Sequence, residues 1–542
     1  MGKFAKYRLR INPVFLLLLS GGALLWVAFP IIKQEIFSQN RYRQLLTGPE
    51  NLLHIPKSVN NDSVFCYNRS NELLFSLNGG DHFQVARDGV INFDEVANNK
   101  NIFQPTSIRW RHPKGEFPQA LSLVLKVRNP KKKVETKPYT VQYVTNESAL
   151  PAVAVSISEA DMFNWVKGLM IYGDASNYDD GFQKDWWYRS ANFANRGSEW
   201  KRGVQLTYFD TLGNNSSYFA EMAISGNATR YFPQKSLKFY LTDEEGRKQS
   251  QKVKFWPNGI RKARSFLLRN SGNDNMKTMF ADLLIHELAN DANLLVQEGQ
   301  PVRAFINGNY WGIYNLRERL DARFVAEKEN VKRDEVTILF CEVYGDQTRL
   351  KTGDDRVKKE FDAFIAKIKK ENTISYDELK EVLSIKSFID YILVESFFAN
   401  NDWLHNNVTF YKADKKDWKW ILNDMDYSMA YPGAHNINKN QFQEIKISNS
   451  IIGVLYNALM KHRKFKDKLK KRGQELLKTC LSAENIQSTY SRLFALYDPE
   501  IKLQINRWRF IQSKQEWVKD CEANVNFLLD RRTIFLEQLN NL

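Results

Sequence analysis

Between Ser387 and Met429 the chain runs through an order of elements that few folds accommodate. Phe388, Ile389, Ile392, Leu393, Phe397 and Phe398 lie on one broad apolar face of a helix that ends at Ala399-Asn400. A polar loop follows, Asn401-Asp402-Trp403-Leu404-His405-Asn406-Asn407. Two apolar strands, Val408 to Lys412 and Trp418 to Leu422, flank the turn Ala413-Asp414-Lys415-Lys416-Asp417 and predict a hairpin. The second strand leads directly into Asn423-Asp424-Met425-Asp426. A hairpin brings its two ends together, so Asn407 and Asp424 can meet at one ion although 17 residues separate them. Two carboxylates at the end of an apolar strand repel each other unless a cation is present.

The order helix, Asp-x4-Asn loop, hairpin, Asp is that of a protein-kinase catalytic core. There the loop Asp orients the acceptor hydroxyl and takes its proton, while the Asn and the later Asp hold Mg2+ against the phosphates. Phosphoryl transfer needs divalent cations on oxygen ligands held by short side chains. It also needs one carboxylate near the attacking oxygen. On this reading Asp402 is catalytic, and Asn407, Asp424 and Asp426 are metal ligands. Plainer readings stand beside it. Asp402 also fits a turn or cap residue, and His405 fits a hydrogen-bonding loop histidine better than a base. Asn407-Val408-Thr409 matches a glycosylation sequon by coincidence.

The 542 residues allow several domains, at roughly 150 residues each. Val14 to Ile32 is a 19-residue run without charge, preceded by Lys3, Lys6, Arg8 and Arg10. That length suits a helix spanning a bilayer, and the basic flank predicts a cytoplasmic N-terminus with the bulk of the chain exported. The expected order is a basic flank and transmembrane anchor over 1–33, a stalk over 34–60, a β-sandwich over 61–147, a catalytic domain over 150–450 and a helical extension over 451–542. The sandwich rests on short β-rich runs such as Leu121 to Val127, separated by turn signals. Asn307-Gly308, between Val302–Ile306 and Trp311–Leu316, predicts a hairpin. Helical periodicity runs from Met276 to Asn290.

Lys and Arg number 78 against 62 Asp and Glu, a net +16 that attracts anions of several classes. No nucleic-acid-binding motif accompanies the charge, so nucleic acid is not an expected partner. Cys66, Cys341, Cys480 and Cys521 are too scattered for a metal knuckle or a redox pair.

Four blocks resemble the CotH kinase family, named after spore coat protein H. They are Ile224 to Phe239 with Arg230 and Pro233-Gln234-Lys235-Ser236-Leu237-Lys238, the helix from Asn275 to Leu288, Phe305 to Asp321, and Asp402 to Asn407 with Trp420 to Asp426. The resemblance implies an α+β, atypical protein-kinase-like two-lobed domain that uses ATP with Mg2+ or Mn2+ to phosphorylate Ser or Thr of a protein substrate. It assigns the catalytic aspartate to Asp402 and a metal ligand to Asp424, with Asp426 beside it. Phosphate gripping falls to Arg230 and to Lys235 or Lys238, with Lys235 preferred, because no G-x-G-x-x-G loop is present. By analogy with kinases, Glu287 pairs with that lysine. The 61–147 module resembles chitobiase-type sandwiches. Two other readings remain open: a glycosyltransferase holding a nucleotide-sugar through Asp424-Met425-Asp426, and a scaffold with an inactive kinase fold.

Overall fold

The computed structural model describes the chain from Leu53 onward, apart from 55–62, 68–69, 93–105, 108, 119, 145–147, 174–189, 258, 342–344, 372–373, 415 and 432–435. The expected membrane anchor lies outside the described residues, as does all but Leu53-His54 of the stalk. No described helix is long and apolar enough to cross a membrane. The chain is α+β and divides into two compact units, 1–99 with 123–141, and 100–122 with 142–542.

The first unit is built from two small sheets. Strands β1 (Leu53–His54), β2 (Ser63–Cys66) and β5 (Val90–Asn92) form one, and β3 (Glu72–Ser76), β4 (Gln84–Val85), β6 (Ala120–Asn129), β7 (Val134–Glu135) and β8 (Tyr139–Val144) the other. β3 and β6 pair antiparallel with Leu74 opposite Lys126. Val64, Leu73, Leu123 and Leu125 are fully buried.

The second unit opens with β9 (Ala152–Ser156) and α1 (Glu159–Phe163). It continues through β10 (Arg202–Phe209), β11 (Asn215–Ile224), β12 (Leu237–Thr242), a side ribbon of β13 (Gln251–Val253) and β14 (Arg261–Ala263), β15 (Ser265–Arg269), α2 (Ala281–Leu288), β16 (Gly299–Ile306) and β17 (Asn309–Glu318). Seven of these strands close a barrel in the order β10-β11-β12-β15-β17-β16-β9, with only β16 and β9 parallel. Alternation decides what fills it. Leu237, Phe239 and Leu241 on β12, and Phe266 and Leu268 on β15, are fully buried. Lys238, Tyr240, Leu267 and Arg269 therefore lie on the outer face. The β16–β17 hairpin turns at Asn307-Gly308 with φ of 46° and 79°, the left-handed pair that a two-residue turn needs.

α3 (Ala322–Glu329) leads to a second sheet in the order β19-β18-β20-β21: β18 (Val336–Cys341), β19 (Thr348–Thr352), β20 (Thr409–Ala413) and β21 (Lys419–Ile421). Between β19 and β20 come α4 (Asp355–Lys370), α5 (Tyr376–Val382) and α6 (Ile385–Phe398). Every residue of α6 but Lys386 is buried, so α6 is the central post of this half. The chain ends in α7 (Gln441–Ile447), α8 (Ile451–Met460), α9 (Arg463–Lys478), α10 (Ala483–Tyr497), α11 (Ile501–Trp508) and α12 (Lys514–Asn540). Phe465, Leu469, Trp517, Phe527 and Phe535 join the same core as Phe388, Phe397 and Trp420. The basic helical tail thus closes the core, with its lysines on the solvated side. All four cysteines are buried and free.

The helix expected over 276–290 is shorter than its periodicity. A 3-10 turn at Gly272–Met276 precedes it, and Met279 takes φ of 69°. The buried Asp274 carboxylate accepts from Thr278 N (2.9 Å), Thr278 Oγ1 (2.7 Å) and Ala281 N (2.9 Å). These bonds satisfy donors that a longer helix would have paired, so the regular turn begins at Ala281.

Candidate active site

The loop after α6 and the loop after β21 are tied to each other. Ala399 ends α6 in the left-handed region, φ 51°, and swings Asn400 inward, where it is fully buried. Asn400 Oδ1 accepts from Asp402 N (3.0 Å), and its Nδ2 donates to Glu395 Oε2 (3.0 Å). Asn401 N donates to Tyr427 O (3.0 Å), and Met429 N to Phe398 O (2.9 Å). Asp402 is held in turn by Asn407 Nδ2 at 2.9 Å and more loosely by Asn406 at 3.3 Å. That bond leaves Asn407 Oδ1 free of Asp402. Left-handed φ recurs at Leu404, Asn407, Asp424 and Met429 in this short region. Asn and Asp tolerate it, whereas Leu and Met take it at a cost of roughly 1 kcal/mol or more, which the surrounding hydrogen bonds offset.

Asp402 lies close enough to Asp424 to feel its charge. Burial first, and then Asp424, raise the Asp402 carboxyl above its ordinary value, while Asn406 and Asn407 oppose the rise. Asp426 is 4% exposed, and burial followed by the charge of Asp424 pushes its carboxyl well up. Asn273 Nδ2 donates to Asp426 Oδ1 at 2.9 Å, and a Cβ on Gly272 would collide with Asp426 Oδ2. Glycine at 272 is therefore what lets the 3-10 turn approach this carboxylate.

The sequence reading missed the group that joins the two carboxylates. Arg269, the last residue of β15, donates through Nη2 to both Asp424 Oδ1 and Asp426 Oδ2. Its Nε lies 3.9 Å from Asp282 on α2. Asp282 accepts from Met425 N (2.9 Å) and pairs with Arg317 Nη1 (2.7 Å). Burial works against its ionisation, but Arg317 and then Arg269 hold it well below the usual carboxylate range. Asp282 thus fastens the loop after the hairpin to the barrel. A signal was present: Arg269 and Asp282 end and begin consecutive elements, an arginine followed by an acid on the next helix.

Glu287, expected to face a lysine, pairs with Arg492 of α10 instead. It lies five residues beyond Asp282, about 140° around the helix, so the two point to different sides. Glu287 lines a cavity of about 520 Å³ with Arg492 and Gln300.

Lys235, preferred on sequence, is fully buried before β12 begins. Its Nζ donates to Arg230 O (2.7 Å) and Phe232 O (3.1 Å) and sits 3.6 Å from the Phe193 ring centroid. Burial and then Arg230 hold that amine well below its ordinary value. Arg230 is also engaged, donating to the carbonyls of Gly226 (2.8 Å), Phe193 (2.9 Å), Asn195 (3.1 Å) and Ile224 (2.9 Å). Both side chains serve the turn between β11 and β12. Their polar, charged character suggested a site, and only the fold reveals that backbone carbonyls use it up.

Lys238 is the lysine on the outer face. Burial first, and then the positive charges of Arg319, Arg230, Arg196 and Lys201, push it down to about 8. Four cations gather around the Tyr240 ring: Lys201 at 4.6 Å from its centroid, Arg319 at 5.0 Å, Lys238 at 5.7 Å and Lys248 at 5.8 Å. Two unit charges about 10 Å apart repel by about 1.7 kcal/mol at an effective dielectric of about 20. A cation over an exposed ring recovers about 0.5–1 kcal/mol. Glu221, 3.7 Å from Lys201 and 3.4 Å from Lys248, and Asp321, 2.8 Å from Arg319, neutralise part of the charge.

No three acidic, histidine or cysteine side chains among the described residues converge tightly enough to hold a metal by themselves. The donor set nonetheless suits Mg2+ or Mn2+, which take one or two carboxylates and complete their shell with water and phosphate oxygens. Asp424 and Asp426 already share one cationic group, and Asn407 Oδ1 offers a neutral oxygen.

A family model described as CotH kinase protein matches residues 222–535, more than half of the chain. The chain belongs to the CotH kinase family. The CotH match spans Asp402, Asn407, Asp424 and Asp426 together with Arg269, Asp282 and Arg319, and leaves Lys201 outside. No curated protein matches the chain.

Proposed function

We propose that this CotH-family chain is an atypical protein kinase that transfers the γ-phosphate of ATP to Ser or Thr of a protein substrate, held to the cell membrane by its N-terminal apolar run. The barrel is read as the smaller lobe and the α6-centred half as the larger. The observation that carries the reading is the convergence of the Asp402–Asn407 loop with the Asp424–Asp426 loop and Arg269. Asp402 orients the acceptor hydroxyl and takes its proton, and its raised carboxyl brings it nearer to the working pH of a general base. Asp424 and Asp426, with Asn407, would hold a divalent ion, which when bound neutralises phosphate oxygens. Lys238 faces the phosphates in place of Lys235. Water is kept from Asp426 by burial.

Thermal shift of the full chain with ATP, GTP and UDP-sugars, each with Mg2+, Mn2+ or chelator, tests this. ATP stabilises the wild type only with metal, and Asp424→Ala loses that increment. Asp402→Asn keeps it and loses transfer by about 10²- to 10⁴-fold. Selective stabilisation by a UDP-sugar moves the reading to glycosyl transfer, and no response to any nucleotide leaves a scaffold.

A further inference from the structure

A groove of about 910 Å³ opens between the segment 109–114 and the end of α11, within the unit that carries the candidate site. Arg109, Arg111, Lys114 and Arg509 line it, and no carboxylate among the described residues does. Glu116 is exposed two residues beyond Lys114, and Glu516 accepts from Gln512 N at 3.2 Å, but neither belongs to the lining. The two walls are fixed to each other. Lys114 N donates to Asn506 O (3.0 Å), and Arg509 Nη1 donates to His112 O (3.4 Å). The cations thus stand on a surface that is already ordered, which lowers the entropy lost when a partner binds. Trp110 and Phe510 also line the groove, and both pack against the barrel core. Their rings serve that core, so the surface presents charge rather than open faces on which bases stack. Met276, in the groove wall, ends the 3-10 turn whose Asn273 donates to Asp426 at 2.9 Å. Three residues of such a turn rise about 6 Å. The groove therefore runs up to the turn that contacts Asp426.

We propose that this groove docks an acidic segment of the protein substrate, with Asp or Glu side chains at Arg111, Lys114 and Arg509 while the acceptor hydroxyl lies at the candidate site. The assignment deepens the kinase reading and rests on it for the identity of the partner as a protein substrate. Charge complementarity selects the segment. Arginine forks pair carboxylates through two parallel hydrogen bonds, and cations gathered in one groove repel a basic segment. Arg109, Arg111 and Lys114 precede the family-matched residues 222–535, and Arg509 lies within them, so the dock joins a segment outside that match to a helix end inside it.

Fluorescence anisotropy of the full chain, without nucleotide, tests the dock with three labelled ligands: a glutamate-rich peptide holding one Ser, its counterpart with Lys in place of Glu, and an oligothymidylate of equal length. The glutamate peptide binds about tenfold more tightly than either of the others, and added salt weakens it. Arg111→Gln and Arg509→Gln each weaken it about fivefold, Arg111→Lys recovers much of that loss, and Lys359→Gln on the exposed face of α4 changes nothing. Equal binding of the glutamate and lysine peptides overturns the dock. So does glutamate-peptide binding indifferent to both Arg111→Gln and Arg509→Gln in variants with wild-type circular dichroism. Oligothymidylate that binds as tightly through the same arginines overturns it in favour of nucleic acid. The two readings fail separately. If ATP with Mg2+ stabilises the chain through Asp424 while the glutamate peptide ignores Arg111 and Arg509, the kinase reading stands and the dock falls. If the glutamate peptide binds through the groove while ATP with Mg2+ stabilises nothing, the acidic-segment dock stands and the kinase reading falls.

Discussion

Arg269 shows how one side chain can hold an acidic site together before any ion arrives. Asp424, Asp426 and Asp282 all face it, and its guanidinium supplies positive charge among the three carboxylates. Removing one partner of a buried charged cluster costs on the order of 3–5 kcal/mol, because the remaining charges are left uncompensated. Arg269→Gln is therefore expected to lower the urea midpoint strongly in chelator. A divalent cation can replace the lost charge at Asp424 and Asp426, so Mn2+ recovers much of that loss in the variant while moving the wild type little. A variant that Mn2+ does not rescue would show that these carboxylates are not arranged to hold an ion. The contrast with Lys235 and Arg230 lies at the same scale. Lys235 and Arg230 are buried and end on backbone carbonyls, which fix a turn, whereas the part-buried Arg269 ends on carboxylates, which an ion could also occupy.

At the level of elements, the end of α6 sets the geometry of the loop carrying Asp402. Glu395, fully buried one turn before the helix ends, supports Asn400, and Asn400 positions the Asp402 backbone. Burial raises Glu395 to about 8, so it is mostly protonated at neutral pH. An acid whose folded-state value lies above its unfolded value binds more protons when folded. Its contribution to stability is thus fully present below the ordinary glutamate value of about 4.3 and is lost as pH rises through about 8. Glu395→Gln resembles the protonated form. Unfolding in urea at pH 6 and pH 9 should therefore show a smaller fall in stability for the variant than for the wild type. An equal fall in both would place the titration elsewhere. α2 offers a second lesson of this kind, since its start is decided by the Asp274 carboxylate rather than by the apolar period that runs back to Met276.

Across the whole molecule, the C-terminal helices belong to the α6-centred half. Phe535 is fully buried and packs edge-on against Phe397 of α6 at 5.4 Å, and Trp517 Nε1 donates to Thr278 O at 3.1 Å. Arg531, also fully buried, donates to Ser396 O and Lys439 O at 2.9 and 2.7 Å, bracing the end of α6. Phe535→Ala should cost about 3–5 kcal/mol in urea unfolding, the usual range for emptying a buried aromatic site. A loss below about 1 kcal/mol would mean that α12 is an appendage. Much of this could be read from the chain alone. The helix, the Asp402 loop, the hairpin and the two aspartates are consecutive, so local patterning places them and the period of their apolar residues orients them. The Asn307-Gly308 hairpin follows from turn chemistry for the same reason. What lies between distant segments was decided only by tertiary structure. Arg269 meets Asp424 across 155 residues, and Lys201 meets Tyr240 through the register of β10, β11 and β12. The engagement of Lys235 by nearby carbonyls, and the turn of Glu287 toward Arg492 while Asp282 faces Arg269, likewise depend on segments that only the fold brings together. Short-range preferences fix which residues are available, whereas barrel closure and the packing of α12 on α6 decide which of them share a site.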